Sequence, residues 1–462
     1  MLLTQKCCYR FSTGTLIVFL TFTYWLFLYI PTDPSDLNIR LQLTKDCKES
    51  HFTNNFATYA HFSKQKYVVD NDEEYFKKVK HHFEVQGGKG ECFSIKVEEK
   101  WLSQFTDGGT SFRVVAESKI FVDLCNVEDF FNGTYVITCP HSSVCTSVRV
   151  YLVYYAYTAF QEDYNGNPEN VELWRTVHCR KGSDNSLLHR MLNSPVFSGY
   201  PATPKCKVRP QGHISWVKDD INFNELLCVD NCIINITKYE KLYPCIDQLN
   251  IYFVGDSHMR NNYFYLLYKL KALRNTMQSN ITEASVGNIH FRYANMTKEL
   301  ATRLEETVNE AKKLKTHSVI VFNSGMLDLI HMGLQRYLTH FDRYLNTTVA
   351  KITKNLPKNI HLVWFSTYAY PKMMSTRKFG YHINNYQIAA ANTYIELELS
   401  SQGVQIFDVS FHASNIREDR NVCGYYYVCK LERLSYVHGY VGTQIMDAFT
   451  LYMCQPPENL EL

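Results

Sequence analysis

The sequence predicts an α/β domain built on a parallel sheet with helices on both faces, preceded by an all-β immunoglobulin-like sandwich and a single N-terminal transmembrane helix. Three observations predict it. Beyond residue 249 apolar strands alternate with amphipathic helices. Between residues 82 and 160 short runs of alternating hydrophobicity are separated by glycine-containing turns. Residues 11–30 form an uncharged apolar stretch.

A chain of 462 residues has room for about two or three domains, and 14% aromatic with 20% charged residues describes a folded protein. The net charge of +3 and the lack of a basic run argue against nucleic acid as a partner. Lys6 and Arg10 precede the apolar stretch, and Pro31, Asp33 and Asp36 follow it. About twenty helical residues span ~30 Å, the thickness of a bilayer core. Residues 11–31 are therefore expected to be an uncleaved signal anchor, with residues 1–10 cytosolic and everything after it lumenal. A cleaved signal peptide is the alternative, disfavoured because the run is long and no small-x-small site follows it. The expected location is the Golgi or ER as a single-pass type II protein; secretion or the cell surface is the other possibility. Cys7 and Cys8 are candidates for palmitoylation.

Two further features favour a lumenal body. Five sequons, at Asn132, Asn235, Asn280, Asn295 and Asn346, offer N-glycan acceptors, and thirteen cysteines lie between Cys47 and Cys454. The odd number leaves at least one cysteine free or intermolecular. Cys228, Cys232 and Cys245, or Cys423 and Cys429 with His438, fit no standard zinc spacing, so disulfides are expected and no metal is.

In chain order, residues 32–81 read as a polar stem. Residues 82–160 contain HFEVQ, CFSIKVEE, SFRVVAES, KIFVDLC, TYVITC and SVRVYLVYY, a set of strands suited to an antiparallel sandwich. Residues 161–248 are rich in cysteine, proline and glycine and read as a connector. From residue 249 to 462 the expected elements are a strand at 251–254, helices over 297–316, 333–356, 384–399 and 441–453, and strands at 318–322, 361–366 and 404–409.

The most informative stretch is NIYFVGDSHMRNN, in which Gly255-Asp256-Ser257 turns an apolar strand into a helix. A hydroxyl there meets the positive end of the helix dipole and free N–H groups that can stabilise an oxyanion. Asp256 or Ser257 acting only as an N-cap is the plainer alternative. Sites in open α/β folds lie beyond the carboxyl ends of the strands, and Asn323-Ser324-Gly325 follows a strand just as Gly255-Asp256-Ser257 does.

GDSHMRN at 255–261 resembles the GDSxxR opening of the PC-esterase branch of the SGNH hydrolase fold. FNSG at 322–325 is similar to that branch's third block. HGYVGTQIMDAFTLYMC at 438–454 is similar to its terminal block, in which a His precedes a last helix and a Cys. Upstream, DGGTSFRVVAES, VEDFFNGTYVITC and VRVYLVYY resemble the sandwich of the neurexophilin and PC-esterase domain (NXPE) family, so the likeness covers roughly residues 82–462.

The resemblance implies an SGNH-like three-layer domain and acyl ester chemistry on glycan hydroxyls, with sialic acid among the possible substrates. Ser257 would be the nucleophile and His438 its general base. The Ser257 N–H and the Asn323 side chain would form the oxyanion hole, and Gly325 would hold that loop close. Arg260 would contact a substrate carboxylate or, with Asp256, support the loop. The family pattern has Asp three residues before the His, where this chain has Ser435; Asp408, Glu432 or a backbone carbonyl would have to orient the imidazole instead. The implied partner is a glycan or glycoprotein. No bound cofactor is implied, although an acyl donor such as acetyl-CoA would be a co-substrate. Acetyl-CoA is cytosolic and one helix cannot carry it across a membrane, so transfer would need a donor transporter. A catalytically inactive glycan- or protein-binding ectodomain is the alternative.

Overall fold

Ile251 to Val254 are apolar or aromatic at every position and fully buried, as a strand covered on both faces must be. They form β1 (Leu249–Gly255), the centre of the C-terminal sheet. The computed structural model describes residues 79–86, 93–101, 103–105, 110–117, 121–130, 132–139, 147–154, 172–178, 196–197, 208, 214–219, 224–229, 232–234, 236, 239–272, 281–369, 385–416, 428–429, 437–438 and 440–454, all within one compact unit, Ser50–Leu462. The anchor expected at 11–31 lies outside these residues, as does the stem up to residue 78. Among the described residues no helix is long and apolar enough to cross a membrane.

β1 is followed by helix α1 (Ser257–Lys269), the hairpin β2 (Glu283–Val286) and β3 (Ile289–Tyr293), and helix α2 (Thr297–Ala311). Then come β4 (His317–Asn323), α3 (Met326–His340), α4 (Thr347–Thr353), β5 (Ile360–Phe365), α5 (Asn385–Ser401), β6 (Gln405–Phe407) and α6 (Val409–Ile416). The short strands β7 (Val428–Cys429) and β8 (Val437–His438) pair with each other before the last helix, α7 (Tyr440–Met453). The sheet order is β2-β3-β1-β4-β5-β6, parallel throughout except for the edge strand β2. On one face Tyr252, Val254, Ile320, Phe322 and Trp364 pack with α2, α3, α4 and α5. On the other, Ile251, Phe253, Val321 and Phe365 pack with α1, α6 and α7.

The structure differs from the local expectations in two places and adds an element they lacked. α3 is two helical pieces joined at a kink at Gly333, φ +74°, where the expected helix begins; the piece from Met326 to that kink was not expected, and a π-helical turn over Phe341–Asn346 leads on into α4. The strand expected over 404–409 ends at Phe407, and α6 follows. Its serines hid it, since serine is a weak helix former, yet here Ser410 Oγ donates to Ser366 O at 2.6 Å and Ser414 Oγ to Ser410 O at 2.6 Å. The polar hairpin β2–β3 had no apolar run to announce it.

Upstream lie two sheets. Val79–Gln86, Phe93–Trp101, Thr134–Cys139 and Asn126–Asp129 form one in that order, with Gln104–Phe105 alongside. The larger has Ser147–Tyr154, Ser111–Glu117, Phe121–Leu124, Ile214–Asp219 and Asn224–Val229 at its centre. Ile95, Val97, Tyr135 and Ile137 of the first meet Phe112, Val114, Ala116 and Val148 of the second in one core, which a Cys125–Cys139 disulfide closes. The stretch 161–248 does not stand apart as a connector. Five of its segments are strands of the larger sheet, because Trp216, Leu227, Val229 and Ile234 find their apolar partners among α1, α6 and α7. Trp216 Nε1 donates to Ala413 O at 3.1 Å, and the Leu227 N–H to Gln444 Oε1 at 3.3 Å.

Candidate active site

At the carboxyl end of β1, Gly255 stands opposite Asn323 of β4 in the parallel register. Its φ is +152°, and a Cβ there would come within 2.6 Å of the Asn323 carbonyl oxygen and 2.7 Å of Met259 Cγ. Only glycine lets the two strand ends and the first turn of α1 converge so closely. Asp256 then caps α1: its buried carboxylate accepts the His258 N–H at 2.8 Å and lies 3.5 Å from His258 Nδ1. Ser257, half-buried, is the first helical residue, where the backbone N–H groups have no intrahelical acceptor. Arg260 is half-buried on the same turn, and its N–H closes that turn on Asp256 O at 3.1 Å.

Asn323 is next to this turn, but its side chain is directed elsewhere. The amide nitrogen donates to Phe365 O at 2.6 Å and to Thr367 Oγ1 at 3.2 Å, so both its hydrogens are engaged across the end of β5. Oδ1 is buried and has no hydrogen-bond partner among the described residues. Gly325, at φ +128°, is equally constrained, since a Cβ would stand 2.8 Å from the Tyr337 hydroxyl and 2.9 Å from Thr367 Oγ1. Thr367 in turn donates to Ser324 O at 2.9 Å and is bracketed by Asn392, which accepts its N–H at 3.1 Å and donates to its carbonyl at 3.0 Å.

His438 belongs to β8, whose backbone packs beside α1, the helix that Ser257 begins. Asp408 is buried at the carboxyl end of β6, where its carbonyl accepts the Phe411 N–H at 3.1 Å. β6 is three strands from β1 in the sheet order; at ~4.8 Å per strand Asp408 is roughly 14 Å along the rim from the serine turn. Asp408 thus shares the rim with Ser257 but stands well along it from the serine turn. Ser435 and Glu432 lie outside the described residues. Of the sequons, Asn132 and Asn295 are exposed, Asn346 is half-buried, and Asn235 and Asn280 lie outside the described residues.

The sequence reading missed a second buried acid. Asp328, on the first turn of α3, accepts the Thr297 N–H at 3.1 Å through Oδ1, while Oδ2 is buried with no hydrogen-bond partner among the described residues. Burial pushes its carboxyl up to about 6 against the Thr297 hydrogen bonds, and the charge of nearby Asp256 adds to the rise. Thr297 Oγ1 and Tyr337 OH each lie 3.3 Å from Ser324 Oγ, completing a polar layer beneath the Gly325 loop. The available signal was an acid in the otherwise apolar run MLDLI, three residues after Gly325. Asn262 was missed as well: it is fully buried on α1, its Oδ1 accepts from Tyr368 OH at 3.3 Å, and Tyr368 itself lies against the His258 ring at 5.4 Å.

This geometry sets a hydroxyl at a helix N-terminus on a sheet rim beside a dense, buried polar layer. Comparison with protein-family models finds no match to this chain, and comparison with curated proteins finds none either.

Proposed function

We propose that the part of the chain following the expected anchor is a serine-dependent O-acyltransferase or O-acetylesterase acting on glycan hydroxyls, sialic acid among them, in the secretory pathway. In this proposal the C-terminal domain is an SGNH-like three-layer fold behind an immunoglobulin-like sandwich, held in the Golgi or ER by one N-terminal helix. The observation that carries it is the position of Ser257: first residue of a helix, at the carboxyl end of a central parallel strand, with Gly255 pressed against Asn323 and the strand of His438 beside that helix.

Ser257 Oγ would bond to the acyl carbon as its proton passes to the His438 imidazole, and the donor's leaving group would depart with that proton. A sugar hydroxyl or water would then attack the acyl-serine, His438 taking the incoming proton and returning it to Ser257. Transfer would draw on a donor such as acetyl-CoA delivered by a transporter; hydrolysis would not. With the Asn323 amide engaged by Phe365 and Thr367, the Ser257 N–H at the positive end of α1 is the oxyanion donor this geometry favours.

A fluorophosphonate probe applied to the purified lumenal part is the direct test. Labelling at Ser257, lost in Ser257→Ala, is expected; a folded protein that never labels there overturns the proposal. O-acetylated glycans in cells carrying the wild type or Ser257→Ala then separate transfer from hydrolysis, since acetylation falls on mutation in the first case and rises in the second. The second reading is an inactive glycan- or protein-binding ectodomain. It is favoured by Ser435 standing where the family has Asp and by the engaged amide of Asn323.

A further inference from the structure

The opposite end of the C-terminal sheet has its own chemistry. The loops that lead into β4 and β5 are stitched together, with the Ser318 N–H donating to Asn359 O at 2.8 Å and Asn359 Nδ2 to Thr316 O at 3.0 Å. On them Lys312, Lys313, Lys315, Lys354 and Lys358 are exposed, and no ion pair involves any of them among the described residues. His317 and His361 stack between the loops with ring centroids 6.1 Å apart. Asp247, exposed before β1, is the acid of the adjoining loop.

Lys354 also faces a cleft of 540 Å³ that Asn346, Thr347, Lys351, Asn355 and Gln402 help to line. Its walls combine the amides of Asn346, Asn355 and Gln402, the Thr347 hydroxyl and two ammonium groups with the Ala350 methyl and the aliphatic stems of the lysines; Lys351 already pairs with Glu305 at 2.7 Å. Amides and hydroxyls bond sugar hydroxyls, and unpaired ammonium groups bond anions. An open cleft that joins hydrogen-bonding groups to apolar surface, with lysines on its rim, matches a sugar ring, which has hydroxyls at its edge and C–H groups on its face.

We propose that this end of the sheet is a second binding site, for an anionic oligosaccharide whose carboxylate or sulfate groups pair with the lysines of the two loops while its hydroxyls enter the cleft. The site is roughly 20 Å from Asn323, the length of the seven-residue strand β4. It is therefore separate from the Ser257 turn and does not depend on Ser257 being catalytic. Asn346, although part of a sequon, serves here as a wall: Gln402 Nε2 donates to its Oδ1, and its own amide points to Glu398 at 3.4 Å. An N-glycan on it would fill the cleft.

Binding of a heparin octasaccharide, a hyaluronan octasaccharide and neutral dextran to the full chain in detergent tests this. Heparin should bind with a steep salt dependence, hyaluronan more weakly, and dextran not at all. Lys354→Glu/Lys358→Glu and, separately, Lys312→Glu/Lys313→Glu/Lys315→Glu should each weaken heparin binding at least about tenfold at low salt. Both variants should keep the wild-type melting temperature, and Ser257→Ala should bind as the wild type does. Equal binding of dextran, heparin binding unchanged in both charge variants, binding only to phosphatidylserine vesicles, or a glycan found on Asn346 by peptide mapping would each overturn the proposal.

Discussion

The Asn323 carbonyl oxygen lies 2.6 Å from the position a Cβ would take on Gly255, so the two strand ends that frame the candidate site touch through backbone alone. Gly255→Ala must push β1 from β4 or displace Met259. It is expected to destabilise the protein by about 2–3 kcal/mol. Urea unfolding measures this, and the fluorophosphonate label should fall with it because Ser257 follows two residues later.

Asn323→Ala separates a structural from a catalytic role. Removing the amide leaves Phe365 O and Thr367 Oγ1 without their donor, which costs about 1–3 kcal/mol of stability. The expected outcome is a lower urea midpoint with the rate of Ser257 labelling little changed below the transition. A stable variant that labels about a hundredfold more slowly would return Asn323 to the oxyanion hole.

Asp328 should give the protein a pH-dependent weakness. Its folded carboxyl is raised from 3.8 to about 6, so the folded state binds the proton more tightly than the unfolded chain does. Stability is then highest below the unfolded value and declines as pH rises towards and through about 6, by roughly 3 kcal/mol for a shift of this size. Asn in its place still accepts the Thr297 N–H. Asp328→Asn is therefore expected to match the wild type near pH 4 and to exceed it near pH 7.5, a difference that urea unfolding at the two pH values resolves.

The Cys245–Cys454 disulfide joins the entry of β1 to the end of α7 across 209 residues of chain. Closing so long a loop restricts the unfolded chain, and Cys454→Ser is expected to cost about 3–5 kcal/mol. Thermal melting without reductant checks it. The adjoining Asp447 carboxyl, raised by burial and accepting the Tyr239 and Tyr265 hydroxyls at 2.5 and 2.6 Å, should keep α7 docked on α1 at reduced stability.

The sequence by itself determined the strands and helices whose apolar period is unbroken. Ile251–Val254, Ser318–Phe322 and the face of α2 bearing Leu300, Leu304 and Val308 could be read directly, because side chains buried along one element repeat with that element's own geometry. It also singled out the Gly255-Asp256-Ser257 turn and the loop of Asn323 and Gly325. Only the tertiary structure decided what those residues touch. The amide of Asn323 was drawn to β5, Asp408 was set at the far sheet edge, Asp328 was buried against the Thr297 N–H at the start of α2, and the strands of 161–248 were attached to α6 and α7 through Trp216 and Leu227. These contacts join positions tens to hundreds of residues apart. A hydrogen bond is satisfied by whichever partner folding brings within about 3 Å, and no local pattern in the chain records which partner that is.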